Sequence, residues 1–439
     1  MNLRNHLKNV VGFTTKRKIV VIESDDWGSI RTKNKLAYEN MLTAGLDVDK
    51  NSYTMHDALE SNQDLEGLFT VLTRYKDSNG RYPVFTPMYI MGNPNFELIR
   101  KNGCSEYEFE HFLDTCKRYP NRNRVSRLIQ QGIESSFFLP ELHGREHINA
   151  PRWMRLLQRN EKVIMTSFDN ESFGASAFQN ERTPPYLCTF TPEFESDLEY
   201  VKNSLQDAVE MFNSTFGYSP KHFIEPDDYG PLEIEEILQK LGVKFLLRAK
   251  ITRYSNYNNT HTRKYFRWVG QRNKWNQIYL TRNCTFEPHR PLTESDVVGA
   301  CLNEIQTAFT WRKPAIVISH RASYVGSLSS KNQKNGLKQL DELPSDDKGL
   351  YSLITQDDEK YIICIYDINE NTQQAIYWMD KYTYYGRIEE VFSDAAITVI
   401  VYSRGEKYQN EYMIKHYNQT LGYPMTELIP QHEYADRLS

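Results

Sequence analysis

The sequence predicts an α/β protein: a (β/α) barrel followed by a small α+β appendage. Three observations carry this. Short, continuous apolar runs alternate with helical patterns from Lys18 to about Tyr324, as expected for a parallel sheet buried on both faces. The runs number eight, which favours a barrel over a doubly wound sheet. After Gly326 the alternation stops and a different pattern begins.

At the N-terminus, Leu3, Leu7 and Val10–Val11 recur at helical spacing and predict a docking helix, with a membrane-surface helix as the alternative. Strands are predicted at Lys18–Glu23, Tyr82–Met88, Ser135–Leu139, Val163–Phe168, Lys221–Glu225, Val243–Leu247, Gln277–Thr281 and Ala315–Ser319. Helices are predicted at Leu65–Tyr75 and Arg124–Ile133. Another opens at Ser196 with Leu198, Val201, Leu205, Val209 and Phe212 on one face. Leu232–Leu241 stops at Gly242, and Ser295 is placed to cap a helix through Val298, Leu302, Ile305 and Phe309. Residues 100–123 and 170–192 interrupt the alternation and read as loop insertions, the kind that line binding sites. The barrel unit is thus 1–342. A linker containing LPSDDKG leads to an appendage over 350–439, with strands expected at Tyr361–Tyr366 and Ala396–Tyr402 and helices near Thr372–Tyr382 and Tyr412–Thr420.

Composition narrows the function. Of 439 residues, 39% are hydrophobic, which suffices for a core and argues against disorder. The formal net charge is −4 with no long single-sign block, so no nucleic-acid partner is expected. The 29 Tyr suit a cleft that stacks on sugar rings, although any single one is more often a core or half-exposed strand residue. The six Cys form no CxxC pair and read as free thiols in a reducing compartment. The first residues lack the apolar run of a signal peptide, and no window approaches a membrane span. A cytoplasmic location without stable membrane insertion is the expectation.

The chemistry sits where apolar strands end, the usual place for active sites in parallel α/β folds. KIVVIESDDWGS (Lys18–Ser29) runs a strand into Asp25 and Asp26. Neighbouring strand residues point to opposite sides, so a turn is needed to bring both carboxylates to one site, and Gly28 permits one. Helix capping is the plainer use of such a pair. HGREH follows the apolar run SSFFLP and spaces His143 and His147 by four residues, suitable for two ligands on one ion. In AIVISHRASY, His320 ends a third apolar strand. An isolated histidine in any of these positions is more often structural. Together they supply two imidazoles and a carboxylate for a metal, a spare carboxylate for a base and a separate imidazole for an acid. Three protein ligands with an open position is the pattern of catalytic zinc.

In order and placement these motifs resemble the polysaccharide deacetylase family, also called the NodB-homology or carbohydrate esterase family 4-like family. The Asp-Asp motif is matched by Ser24-Asp25-Asp26-Trp27-Gly28, the His-x-x-x-His motif by His143 and His147, and the late strand-end histidine by His320. The likeness spans roughly Lys18 to Gly326. It implies a distorted (β/α) barrel, a divalent metal such as zinc, and removal of acetyl groups from an N- or O-acetylated sugar or glycan precursor. Carried over by position, Asp25 becomes the general base, Asp26, His143 and His147 the metal ligands, and His320 the general acid. Trp27 and Arg321, which flank these groups, become supporting or substrate-contacting candidates.

The third motif departs from the family. The resemblance calls for an Arg before a Pro, where it orients the base, but the chain reads Phe223-Ile224-Glu225-Pro226-Asp227-Asp228-Tyr229-Gly230. The neighbouring strand, expected to carry an acidic residue, carries Arg248 instead. One explanation is that the charges have exchanged places, with Arg248 pairing Glu225 or Asp228 beside Asp25. Pro226, Glu225, Asp228 and Arg248 therefore join the supporting set. Two other readings stand beside the hydrolase. A catalytically inactive metal- or sugar-binding barrel fits the altered third motif. HGREH also fits the H-x-x-E-H pattern of a metallopeptidase with Glu146 as base, provided that it lies on a helix.

Overall fold

A computed structural model describes residues 3–76, 82–175, 186–255, 262–290 and 296–344, and five short strands nearer the C-terminus. Eight parallel strands form one curled sheet with helices packed around it. In chain order they are β1 Val20–Trp27, β2 Phe85–Ile90, β3 Glu141–Gly144, β4 His222–Ile224, β5 Phe245–Leu247, β6 Ile278–Leu280, β7 Cys284–Thr285 and β8 Ala315–His320. Across the sheet they run β6-β5-β4-β3-β2-β1-β8-β7. That is barrel order, in which each strand except the edge pair β6 and β7 neighbours the next in sequence, and the fold is a distorted (β/α) barrel.

The edges meet in an unusual way. Strands β6 and β7 lie on opposite edges, yet only Thr281, Arg282 and Asn283 separate them in the chain. A single extended segment therefore leaves β5, where Leu280 pairs with Leu247, and joins β8, where Cys284 pairs with Val317. No helix intervenes, as a βαβ unit would require.

The strands are continuous apolar runs because both faces are covered. Val71, Phe85, Tyr89, Phe138, Leu205 and Ile305 belong to the main buried cluster between sheet and helices. The helices follow their sequence signals closely. Asn62–Leu72 opens on a capping box in which Ser61 and Asp64 exchange bonds. Val125–Glu134, Glu195–Phe216 and Glu233–Lys240 fall within a few residues of their expected positions. Val297–Thr310 is capped by Asp296, and the expected cap Ser295 lies outside the described residues. Asp197, rather than Ser196, caps the long helix, accepting from the Glu193 and Phe194 amides. Leu3–Leu7 forms an N-terminal helix as expected, but it ends before Val10 and Val11, and Leu7, Val10 and Val11 are exposed rather than docked.

Two strand expectations need correction. Val163–Phe168 lies within an α-helix, Lys162–Asp169, which buries Ile164, Ser167 and Phe168 at helical spacing against Trp153 and Phe96. A six-residue apolar run carries too little periodicity to separate strand from buried helix. The Ser135–Leu139 run touches the sheet through a bridge from Phe138 to Phe85, and the strand proper starts after Pro140. The eighth strand is Cys284–Thr285, too short to read as an apolar run. Of the insertions, residues 100–123 hold a three-residue strand, Phe109–His111, and the helix Phe112–Arg118. Residues 176–185 of the second insertion lie outside the described residues.

Toward the C-terminus the described residues are Ile363–Cys364, Tyr377–Trp378, Val401–Ser403, Tyr412–Lys415 and Glu427–Pro430, all strands. Tyr412–Lys415 pairs with both flanking strands where a helix was expected, and Tyr377–Trp378 is a strand within the other expected helix. Both segments are aromatic or β-branched-rich enough to suit a ladder. The five described-side-chain cysteines, 104, 116, 188, 284 and 301, are free thiols.

Candidate metal centre

The site forms where β1 breaks its alternation. Strand β1 pairs with β8 in register up to Asp25↔His320, while its pairing with β2 shifts between Ser24 and Trp27. Asp26 there adopts φ 73° and Gly28 φ 81°. A left-handed backbone costs a non-glycine residue about 1–3 kcal/mol, and here it re-aims Asp26 so that both carboxylates serve one site. Gly28 is required at the turn, because a Cβ would collide with the Ile90 carbonyl oxygen. Its amide points at both oxygens of Glu60, 3.2 Å away. Trp27, fully buried, donates to Ser24 and packs against Phe85 and Phe138. It supports the turn from the core and offers no surface for a substrate.

Asp26, His143 and His147 converge. The Asp26 Oδ1 atom lies 3.4 Å from His143 Nε2 and 3.1 Å from His147 Nε2. One ligand atom from each residue lies within 4.8 Å of the other two, and all three side chains are buried. His143 Nδ1 lies 2.9 Å from the Ile224 carbonyl oxygen on β4. A carbonyl can only accept, so Nδ1 carries the proton and Nε2 turns its lone pair to the cluster. His143 ends β3, whereas His147 sits beyond Gly144 in a bend. Arg145 and Glu146 pin that bend. Arg145 binds Glu146 and Asp207, and Glu146 accepts from Tyr200 at 2.6 Å. The helix that an H-x-x-E-H peptidase motif needs is absent from residues 141–149.

Charge accounts for the cluster's capacity. The second Asp26 oxygen faces Arg31 at 3.4 Å, Arg31 also binds Asp57, and Arg321 bridges Asp57 and Glu60 at 2.9 and 2.8 Å. On the other side Arg282 binds Asp25 and Glu23. Five buried carboxylates in this ion-paired set (Glu23, Asp25, Asp26, Asp57 and Glu60) thus face three guanidiniums, those of Arg31, Arg282 and Arg321. Carboxylates outnumber guanidiniums in this set, which suits a bound cation. Burial works to raise the Asp26 carboxyl, but His147, His143 and Arg31 together hold it well below the usual carboxylate range. The donor set fits a divalent metal of the zinc type.

Asp25 is held differently from Asp26. Arg282 Nη1 and Nη2 each lie 2.6 Å from one Asp25 oxygen, a two-pronged grip. Burial pushes the Asp25 carboxyl up, and Arg282, with His320, more than offsets it. His320 Nε2 faces Asp25 Oδ2 at 3.6 Å, and its Nδ1 lies 2.7 Å from Glu287 Oε1. Burial alone would lower the His320 pKa, but Glu287 and Asp25 outweigh it and raise it to about 9. Tyr53 stands over this corner, its ring 4.9 Å from the His320 ring and its hydroxyl engaged by Arg290.

The supporting set divides. Arg321 lies in the network beneath Asp26. Arg248 pairs with Glu225, both fully buried, as the exchange idea required, and its Nε lies 3.8 Å from Glu235. The guanidinium that grips Asp25, however, belongs to Arg282. Pro226 opens a short turn to Asp228 in which Asp227 takes φ 58°. The Asp228 side chain lies outside the described residues. Sequence reasoning missed Arg282, Glu287, Arg31, Asp57 and Glu60. The first two do obey the strand-end rule: Arg282 directly follows the expected strand Gln277–Thr281, the signal that could have found it, whereas Glu287 follows β7, whose two residues leave no apolar run to flag it.

No family model and no curated protein matches the chain. Among solved structures, a 4-alpha-glucanotransferase from Thermococcus litoralis is similar over 77% of this chain at 8% identity and a TM-score of 0.36, and the chain spans 40% of its length. A protein of Mycobacterium smegmatis provisionally named a polysaccharide deacetylase is similar over 77% of this chain and 88% of its own, at 10% identity and a TM-score of 0.36. A CE4 family pseudoenzyme from Bacillus anthracis is similar over 77% of this chain and 65% of its own, at 10% identity and a TM-score of 0.26.

Proposed function

We propose that the protein is a metal-dependent hydrolase that removes acetyl groups from an acetylated sugar or glycan precursor. One observation carries the reading. Asp25, gripped by Arg282, adjoins a buried Asp26–His143–His147 cluster on one side and His320, held by Glu287, on the other. Asp26, His143 and His147 would hold the ion. A divalent metal at such a site supplies Lewis-acid polarisation of an acyl group and acidifies water.

The chain's own groups supply the proton transfers. Asp25 stays ionised at neutral pH and accepts a proton from the attacking water, its carboxylate plane fixed by Arg282. His320 is cationic at neutral pH because Glu287 faces its Nδ1. Its Nε2 proton is therefore available to the leaving amine or alkoxide as the acyl carbon–heteroatom bond breaks. The products are acetate and the freed amine or alcohol. The altered third motif, with its missing Arg, was one reason for the inactive reading; the grip of Arg282, between β6 and β7, on Asp25 supports the active one.

The test is acetate release from zinc-loaded protein offered N-acetylated and O-acetylated sugars, free and nucleotide-linked. Asp25→Asn and His320→Ala should keep the metal and lose about 10²–10⁴ in kcat, the range for a general base or acid. Wild-type turnover in either variant removes that residue from the mechanism. Sugar binding with full metal occupancy but no acetate release from any of these substrates would instead favour the non-catalytic barrel.

A further inference from the structure

Ten large apolar side chains are exposed among the described residues, and six of them belong to one linked strip: Leu7, Val10, Val11, Ile251, Phe266 and Trp311. Direct contacts join them. Trp311 Nε1 donates to His6 at 2.9 Å, beside Leu7. Gly12 packs on Trp268, and the Phe13 amide donates to the Val269 carbonyl at 2.7 Å. The Phe266 and Trp268 rings lie 6.1 Å apart. Phe266 pairs across a hairpin with Ile251. Exposed large apolar side chains scattered singly need no explanation, but a joined set marks an interaction surface.

The surroundings of the strip are basic. Residues 1–22 hold five Lys or Arg and no Asp or Glu, and residues 248–286 hold nine and none, in a chain whose net charge is −4. On the hairpin's outward face the apolar pair Ile251/Phe266 is followed by the basic pair Arg253/Lys264, all four exposed. Lys16 and Arg312 are exposed nearby, with Thr15 donating to the Arg312 carbonyl at 2.7 Å. Glu304 answers Lys8 at 2.6 Å. Even so, burial together with the Lys8 and Lys313 ammoniums presses the Lys250 pKa down to about 8.

We infer that this strip is a peripheral docking surface for an anionic lipid bilayer. Aromatic and aliphatic tips ringed by Lys and Arg suit the headgroup boundary, where apolar burial and attraction to anionic lipid add. A protein partner fits less well, since protein interfaces deplete Lys. Among the described residues no helix is long and apolar enough to cross a membrane, so the contact is one of surface attachment. Residues 1–13 and 311–313 precede β1 and β8, so this part of the surface lies at the opposite end of those strands from Asp25 and His320, whereas the 251–266 hairpin follows β5 and pairs with Tyr229–Gly230.

The experiment is co-sedimentation of the full chain with vesicles of phosphatidylcholine, with and without phosphatidylglycerol. Binding is expected to the mixed vesicles and to fade as salt rises. Each basic residue near an anionic surface contributes a factor of about five, so Arg253→Ala with Lys264→Ala should weaken partitioning about thirtyfold while acetate release and the melting curve stay unchanged. Ile251→Ser with Phe266→Ser should weaken it as well. No binding to phosphatidylglycerol vesicles, or equal binding by the Arg253/Lys264 double variant, overturns the assignment. So does a concentration-dependent dimer that Ile251→Ser with Phe266→Ser abolishes, which would give the strip to a second copy.

Discussion

Replacing Arg282 with Ala isolates how Asp25 is held. The wild-type guanidinium makes two 2.6 Å bonds to Asp25 and one of 3.0 Å to Glu23, with side-chain exposures of 9%, 5% and 2% for Arg282, Asp25 and Glu23. Truncation leaves two buried carboxylates without that cation. Removing one partner of a buried pair costs about 3–5 kcal/mol, against a total stability of about 5–15 kcal/mol, so the variant should fold with a clearly lower Tm. Titration gives the second readout. With Arg282 present, the Asp25 carboxyl sits below its ordinary 3.8. A group depressed in this way stabilises the fold above its unfolded pKa, and that stabilisation is lost as pH falls through the folded value. Without Arg282, burial dominates and Asp25 keeps its proton to higher pH. The acid limb of the kcat/KM profile should therefore move upward. Loss of aim should cost roughly a further 10² in kcat. Arg282→Lys keeps the charge without the fork and should fall between the two. The assays are pH–rate profiles on zinc-loaded protein and thermal melts. If the acid limb of Arg282→Ala overlays that of the wild type while Tm falls as expected, Arg282 serves the fold alone and the reasoning about Asp25 is wrong.

Three further outcomes are expected. Asp26→Ala, His143→Ala and His147→Ala should each lose most bound zinc by elemental analysis while circular dichroism stays native; full occupancy in all three rejects the site. Glu287→Gln removes the main cause of the raised His320 pKa, about 9 in the wild type, so the alkaline limb of kcat/KM should shift down. The same pair should stabilise the wild-type fold fully below pH about 6.5 and lose that effect as pH rises through about 9, which thermal melts across that window would check. Gly28→Ala places a methyl group against the Ile90 carbonyl at φ 81°; it should cost about 4 kcal/mol, the upper end for one substitution, and a melt matching wild type would refute the requirement for glycine.

The parts of the fold that could be read from sequence were those with length. Strands β1, β2 and β8 are six to eight residues long, and the apolar runs Val20–Ile22 and Ala315–Ile318 lead straight into polar ends, so Asp25, Asp26 and His320 stood out there. His143 and His147 were legible through their mutual spacing. Arg282 ends the expected strand Gln277–Thr281 and was legible there, whereas Glu287 follows the two-residue β7, held by its neighbour rather than by its own pattern, and pairing partners cannot be seen in a local window. That Arg248 would pair with Glu225 or Asp228 was expected from the departure of the third motif and its neighbouring strand from the family pattern, because a buried charge needs a partner; the partner is Glu225. Which guanidinium would reach Asp25 depended on the sheet's edge topology, which periodicity does not encode. Val163–Phe168 failed for the opposite reason: its local pattern suited a strand, but its packing surface is another helix.

The segment from Ile278 to Thr285 also sets where this chain can tolerate change. Most crossovers of the barrel pass through a helix and a loop, and an extra residue there can be absorbed at the surface. Between β6 and β7 three residues span the seam, a reach of only about 10 Å at full extension. They act as a hasp, and Arg282 is its pin. One inserted residue would reverse the side on which Arg282 projects, because side chains alternate along extended chain. Drift in sequence length should therefore accumulate in the other connections, while this one keeps its count of residues even where their identities vary.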